Sequence, residues 1–402
     1  MAKELISFVE TTVNSESSFL NHISQEIWKN PELKFEETFA HDLLVKVLKE
    51  KRFTVQEHYV MPTAFRAEFQ SKVPGPTVVV ICEYDALPRI GHACGHNLIA
   101  ESGLGAGLAI KTAMEKNPNI PGKVVVLGTP AEEGGAGKIT LLSAGAFEGV
   151  DAALMVHPGP LDHLYTPFIG VSRATVQFNG KEAHASGYPW DGVNALDAAV
   201  ACYTNYSHLR QHIKPDCRIH AIITKGGDAP NVIPGHTELK VHCRSATTKD
   251  LENLNKKVAA CAESAAIATG CTYKIIPDKE PAYESLMTNS VLAERYKKYA
   301  EHFGVKFCDS NPKAIPFMAS SDMGNVSHVV PSIHPTYSIG TTAVNHSVGF
   351  TEASGAPEAQ PATLITAKAM ALLALDVLLD KEFLSEAKRR FQKDLKEDKG
   401  EE

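Results

Sequence analysis

Thr77-Val78-Val79-Val80-Ile81 and Lys123-Val124-Val125-Val126-Leu127-Gly128 are short, continuously apolar and rich in β-branched residues. That composition suits strands buried on both faces, which have no wet side to alternate toward. Gly103 to Met114, lying between them, is rich in Ala, Leu and Gly and predicts a helix. Strand, helix, strand at this spacing predicts an α/β sheet. Working outward, Val150 to Val156 predicts a strand that runs straight into His157, and Ala67 to Phe69 a short one before the pair. From Val13 to Glu50 apolar residues recur at helical spacing, with a break at Asn30-Pro31.

The period changes near residue 170. Val171 to Asn179 alternates as a strand does, and Asp197 to Ile213 predicts an amphipathic helix. Ile219 to Lys225 and Thr237 to Ser245 are strand-like, Lys249 to Thr269 predicts a long helix, and Cys271 to Pro277 a last strand. This β-α-β-β-α-β order describes a compact α+β (ferredoxin-like) unit with helices on one face of an antiparallel sheet. After about residue 285 helical and α/β patterning returns. The expected architecture is therefore α/β: a mixed central sheet flanked by helices in a discontinuous domain, residues 1–168 plus 288–402, split by an inserted domain over 169–287.

A chain of 402 residues can bury a large core. The formal net charge is −7 and the basic residues are scattered, which argues against a nucleic-acid partner. The mixed-charge tail after Arg389 reads as a solvated helix end. Met1-Ala2-Lys3-Glu4-Leu5-Ile6 lacks a basic region followed by an apolar run, so no signal peptide is expected. No apolar stretch approaches the roughly 18 residues needed to span a bilayer. The most apolar, Ala367 to Leu379, is broken by Lys368 and Asp376 and predicts a packed helix. Eight widely spaced cysteines suit reduced thiols better than a disulfide framework. A cytoplasmic protein with no membrane partner is expected.

His92-Ala93-Cys94-Gly95-His96-Asn97 sets a thiol and an imidazole two residues apart, and both are ligands that a borderline-soft divalent metal prefers. Further on come Pro130-Ala131-Glu132-Glu133-Gly134-Gly135-Ala136-Gly137, then Met155-Val156-His157-Pro158, and late in the chain Asn345-His346-Ser347. Together these supply two carboxylates and two more imidazoles, enough for a two-metal hydrolase. A lone Cys is more often a structural thiol, and an isolated Glu-Glu more often a solvated loop. Here the two acids follow a buried strand and precede three glycines within four residues, which fits a site better.

Five motifs in order carry a resemblance. They are Asp85-Ala86-Leu87-Pro88, His92 to Asn97, Ala131 to Gly137, Gly180-Lys181-Glu182-Ala183-His184-Ala185-Ser186, and Gly227-Asp228-Ala229-Pro230-Asn231-Val232-Ile233-Pro234 with Arg244 downstream. In this order the chain resembles the M20 metallopeptidase family, in its amidohydrolase branch, from the N-terminal helix to about Leu379. Cys94-Gly95-His96-Asn97 and Ser321-Asp322-Met323-Gly324-Asn325 are similar to a dipeptidase subgroup of that branch.

The resemblance implies metal ligands at Cys94, His96, Glu133, His157 and His346, holding two divalent ions, Zn²⁺ or Mn²⁺. His92 is an alternative to His96. Glu132 would be the general base, taking a proton from a water whose pKa the metal lowers and passing it to the departing amine. His184, in the insert, would donate a hydrogen bond to the scissile carbonyl oxygen; in dimeric relatives it reaches into the neighbouring subunit, so the insert would serve as lid and dimerisation domain of a homodimer. Asn231 and Arg244 would contact the substrate, Arg244 as a fork for its carboxylate. Asp85 would orient a ligand rather than bind metal. Asp322 and Asn325 carry no derived role.

The chain departs from the wider family at three places, one of them Asn97, where the bacterial amidohydrolases of this branch usually have Asp. Other branches carry a His two residues before the equivalent of Asp85, where this chain has Glu83, and bridge the metals with an Asp, where this chain has Cys94. A thiolate favours zinc, while carboxylate and imidazoles admit manganese. The subgroup implies a dipeptidase for dipeptides with a basic C-terminal residue (Lys, Orn, Arg), such as β-alanyl-lysine or Xaa-Arg; Asp228 or Asp191 could meet the basic side chain. The rival substrates are N-acyl amino acids and aminobenzoyl-glutamate. Outside the hydrolases stand a catalytically silent dimeric binding protein, which the presence of Glu132 with all five ligands argues against, and a structural zinc protein, which would need no neighbouring free carboxylate.

Overall fold

The computed structural model describes residues 2–308 and 319–400. The chain first forms α1 (Ala2–Ser15), α2 (Ser17–Lys29), α3 (Thr38–Glu50), β1 (Thr54–Gln56) and β2 (Phe65–Gln70). Then come β3 (Thr77–Cys82), α4 (His96–Lys116), β4 (Lys123–Gly128), α5 (Gly137–Ser143), β5 (Ala152–Leu154) and β6 (His157–Gly159). The middle of the chain gives β7 (Gly170–Asn179), α6 (Ala195–Leu209), β8 (Arg218–Lys225), β9 (His236–Ser245), α7 (Thr248–Thr269) and β10 (Thr272–Pro277). It ends in α8 (Ser290–His302), α9 (Met323–Ser327), β11 (Ser332–Ile333), β12 (Thr336–Ser338), α10 (Val348–Ser354), α11 (Gln360–Leu379) and α12 (Lys381–Lys399). Two compact units result. The first holds residues 2–167, 286–308 and 325–396, the second 168–285, 319–324 and 397–400.

The first unit is built on a six-stranded sheet in the order β1-β2-β4-β3-β5-β11. β1, β2 and β4 are mutually antiparallel neighbours, whereas β4, β3, β5 and β11 run parallel, so the sheet is mixed. Val78 pairs with Val124 and Val80 with Val126, and these valines share one face of the sheet and are fully buried, with α4 and α11 packed against β3. α4 lies so close to the sheet that a Cβ at Gly107 would stand 2.3 Å from Val126 Cγ2. That contact explains the small residues along a helix with such a large buried surface. α4 also starts earlier than the Ala-Leu-Gly pattern predicts, at His96, because Gly95 caps it at φ 77° and turns the chain directly into the first helical residue.

The expected strand at Val150 to Val156 is shorter, β5 over Ala152–Leu154, and a separate strand, β6, begins at His157. β5 joins the main sheet, and β6 leaves it to pair in parallel with β12. The expectation about apolar length needs correction as well. Pro357–Leu379 is long and apolar enough, by length and composition, to cross a membrane. In the first unit it is a core helix: α11 is buried without a break from Thr366 to Leu375 and packs on α1, α4 and α8. Its two charges are accommodated locally. Asp376 receives Arg295 Nη1 and Tyr299 Oη, each at 2.5 Å, and Lys368 Nζ lies 5.4 Å from the centre of the Phe303 ring.

The second unit is a four-stranded sheet in the order β10-β7-β9-β8 with every neighbour antiparallel, the ferredoxin-like arrangement expected from the β-α-β-β-α-β pattern. Leu239, Val241 and Cys243 of β9 alternate inward onto α6 and α7. The side chains of Asn194 and Thr247 cap the first turns of these helices. The predicted α6 pattern ends at Leu209 instead of Ile213, and the chain passes through a 3₁₀ turn at Arg210–His212.

Candidate metal centre

Four parallel strands of the first unit release functional groups at their carboxyl ends. β3 leads to Asp85, Cys94 and His96, β4 to Glu132 and Glu133, β5 to His157, and β11 to His334. This edge is where an α/β sheet exposes side chains that its own ladder does not need. Cys94, His96 and His157 offer ligand atoms within 4.8 Å of one another, and so do Cys94, Glu133 and His346, and also His96, Glu132 and Glu133. Cys94 belongs to two of these groups and His96 to two.

Hydrogen bonds fix the imidazoles. His96 Nδ1 lies 3.0 Å from both the main-chain oxygen and Oδ1 of Asp85, two acceptors, so Nδ1 carries a proton and Nε2 is the nitrogen left to face a metal. That Nε2 is buried with no hydrogen-bond partner. His157 Nδ1 faces the Pro158 carbonyl at 2.8 Å, which aims its Nε2 at Cys94 Sγ, 3.4 Å away. Asp85 uses its second oxygen to accept the amide of Glu133 at 2.9 Å. His346 Nε2 sits 3.0 Å from Glu133 Oε1. Its backbone has φ 65° and donates to Ala93 O at 2.8 Å, and Ala131 and Ala136 of the Glu132-Glu133 loop also have positive φ. Three non-glycine residues in the left-handed region around one cluster are the kind of strain that functional sites hold in place.

Electrostatics agree with a cation at this edge. Burial opposes a charge on His96, but Asp85 and Glu83 outweigh it and hold the imidazole pKa well above its usual value. Burial, then the nearby charge on His96, brings His157 down to about 4. Burial and the Glu133 carboxylate push the Cys94 thiol well up, so the thiolate forms only where a cation compensates it. His96, whose Nε2 proton a bound cation would displace, the neutral His157, the Cys94 thiol and the Glu133 carboxylate form a donor set that suits zinc or manganese.

In the second unit, His184 is exposed and its Nδ1 accepts from the amide of Gly187 at 3.1 Å, so its proton resides on Nε2, free to donate to an oxygen. Asn231 lies beside it: Ala185 N donates to Asn231 O, and His184 bridges to Val232. Arg244 stands on the open face of β9 and gives Nη1 to Ser320 Oγ at 2.8 Å. Asp191, at the end of a 3₁₀ turn over Pro189–Asp191, and Asp228, in a loop, are exposed, and Asp322 is fully buried.

Sequence reasoning missed several neighbours. Glu83 and Lys138 are fully buried and form an ion pair, and Glu83 Oε2 lies 3.4 Å from His96 Nε2. The His334 ring lies tilted against His157, centroids 5.6 Å apart, and burial holds its pKa well below the usual value. Asn345 donates Nδ2 to Pro158 O at 3.1 Å and lies 4.0 Å from Cys94 Sγ. His334 follows a two-residue strand that leaves no periodicity to read. Lys138 and Asn345, by contrast, were adjacent to recognised motifs.

Residues 169–269 match the M20 peptidase dimerisation domain. Over 389 residues the chain is 45% identical to the Xaa-Arg dipeptidase of Mus musculus, covering 94% of this chain and 90% of that one. It is 44% identical over 393 residues to the Xaa-Arg dipeptidase of Homo sapiens, with the same coverage. Among solved structures it superposes on the Bacillus subtilis YxeP protein, a dinuclear metal-binding peptidase from the M20 family, with a TM-score of 0.72 at 19% identity over 91% of this chain and 99% of that one.

Proposed function

The chain belongs to the M20 family of metallopeptidases, and on that footing we propose that it is a cytoplasmic, homodimeric dipeptidase that removes a basic C-terminal residue (Lys, Orn or Arg) from small peptides. The observation that carries the proposal is the meeting of Cys94, His96, Glu133, His157 and His346 at one sheet edge with Glu132 next to them. The Xaa-Arg dipeptidase relatives, similar along nearly the whole chain, support the substrate class. Bound there, two divalent ions, zinc or manganese, would polarise the amide carbonyl and lower the pKa of the attacking water.

The chain's own residues do the rest. Cys94, His96, Glu133, His157 and His346 would hold the ions, and Cys94, His96 and Glu133 each belong to two of the ligand groups. Asp85 keeps the proton on His96 Nδ1 and fixes the Glu133 amide, which keeps the donors aimed inward. Glu132 takes the water's proton and later delivers it to the leaving amine. His184, protonated on Nε2, donates to the oxygen on which negative charge develops. Arg244 offers a planar fork to the substrate carboxylate.

The test is amide hydrolysis by the metal-loaded protein on basic dipeptides, neutral dipeptides, N-acyl amino acids and p-aminobenzoyl-glutamate, beside Glu132→Ala. The last substrate is included because the chain is 32% identical to a p-aminobenzoyl-glutamate hydrolase polypeptide of Escherichia coli K12. The expected result is fastest turnover of basic dipeptides, lost in the variant. Equal inertness of both proteins with metal bound would overturn the hydrolase proposal, and a preference for an acyl substrate would overturn its substrate class.

A further inference from the structure

Glu37 belongs to no recognised motif, yet it is fully buried at the N-cap of α3 and both of its oxygens are engaged. Oε1 accepts the amide of Ala131 at 2.9 Å, and Oε2 accepts the hydroxyl of Thr63 at 2.8 Å. Thr63 is itself anchored, since its carbonyl takes the Tyr84 hydroxyl at 2.5 Å. Ala131 precedes the base Glu132 and is held at φ 60°, a conformation that costs an L-residue about 1–2 kcal/mol unless surrounding bonds maintain it. A carboxylate receiving a buried backbone N–H is among the stronger bonds available for that task.

Two more contacts come from the same short segment. Lys34 Nζ donates to Gly134 O at 2.6 Å. The Phe35 ring lies where a Cβ on Gly135 would come within 2.7 Å of it. The segment 34–37 thus touches the loop before and after Glu132, while Asp85 holds Glu133 from the other side at 2.9 Å.

We propose that Lys34–Glu37 is a clamp on the Ala131–Gly135 loop, and that Glu37 is a positioning residue that sets the placement of the general base Glu132. Glu37 touches neither substrate nor metal ligands; it acts through the Ala131 amide. Burial, with Asp85 nearby, raises its carboxyl to about 7. This proposal rests on the hydrolase function above, so its test includes a reading that needs no turnover.

The experiment compares wild type, Glu37→Ala and Glu37→Gln in the metal-loaded full chain. In Glu37→Ala, kcat should fall roughly 10- to 100-fold, the cost of an ångström-scale misplacement of a catalytic group, with KM and bound metal unchanged. Glu37→Gln, whose amide oxygen can still accept the Ala131 N–H, should recover most of kcat. Amide hydrogen exchange should rise in Glu37→Ala over residues 130–137 and remain as in wild type over β3 and β4. Wild-type kcat in Glu37→Ala would overturn the clamp. So would exchange rising evenly across the first unit, loss of bound metal, or no recovery in Glu37→Gln. If wild type turns over no amide, the function proposal fails, and local exchange alone then decides whether the clamp exists.

Discussion

Glu101 sits in the middle of α4, fully buried, with Gln360 Nε2 donating to Oε2 at 3.0 Å. Burial raises its carboxyl from 4.5 to about 7, although the hydrogen bonds from Gln360 and Ser24 work against the rise. In the unfolded chain the same group loses its proton near pH 4.5. Between pH 4.5 and about 7 the folded protein therefore holds a proton that the unfolded chain has released. Raising the pH through that window favours unfolding, so stability present below pH 4.5 is lost by about pH 7 and changes no further above it. Two and a half pH units at 1.36 kcal/mol each give a loss of about 3 kcal/mol. Glu101→Gln keeps the shape without the titration, so its stability relative to wild type should climb by about 3 kcal/mol between pH 4.5 and 8, whatever fixed offset the amide introduces. Urea unfolding followed by tryptophan fluorescence suits the measurement. Of the two tryptophans, Trp28 belongs to the first unit and gives Nε1 to Thr351 O, while Trp190 is three-quarters exposed. Comparing the two proteins at each pH cancels every other titrating group. A difference that stays flat from pH 5 to 8 would refute the reasoning and mean that Glu101 is ionised in the folded state.

Two further outcomes are expected. Asp85→Asn retains one acceptor where His96 Nδ1 and the Glu133 amide now use two, so metal affinity should fall about 10- to 100-fold; competition with a chelator measures it, and a change below twofold would contradict the ligand-orienting role. Lys138→Met strands the buried Glu83 carboxylate and should cost about 3–5 kcal/mol, whereas Lys138→Met with Glu83→Gln should recover much of that; denaturant unfolding of the full double-mutant cycle checks it, with simple additivity the refuting result.

Much of the fold was legible because two buried valine strands and one Gly-Ala helix leave few alternatives, and because strand-like runs, β9 alternating most clearly, are spaced around two long helices in the second unit. The candidate metal donors stood out for a different reason. Cys94, His96, Glu133 and His157 come after strands that the pattern marked, and with His346 their side-chain types are those that a divalent ion takes. Glu37 and His334 escaped notice because nothing local distinguishes a buried, bonded carboxylate or imidazole from a solvated one, and Glu83 stood out only as a departure from the family pattern. Their roles come from long-range contacts, such as Glu37 with an amide far along the chain. Apolar length misled in the opposite direction. Counting from Ala367 overlooked the earlier turns of α11, where small residues and threonines extend the apolar run without announcing it.

That helix has a consequence for how the protein is made. Among the described residues α11 is the helix long and apolar enough, by composition, to be taken up by a bilayer or by another unfolded chain while it is uncovered. Its packing partners α1, α4 and α8 all emerge earlier. With synthesis proceeding from the N-terminus, the groove for α11 can be waiting when the helix appears, which limits how long that surface stays uncovered. A circular permutant that placed α11 first would reverse the order of birth. It would reach the same native contacts but expose the greasy helix for most of translation, and its yield of soluble chain should fall even if the purified protein were equally stable.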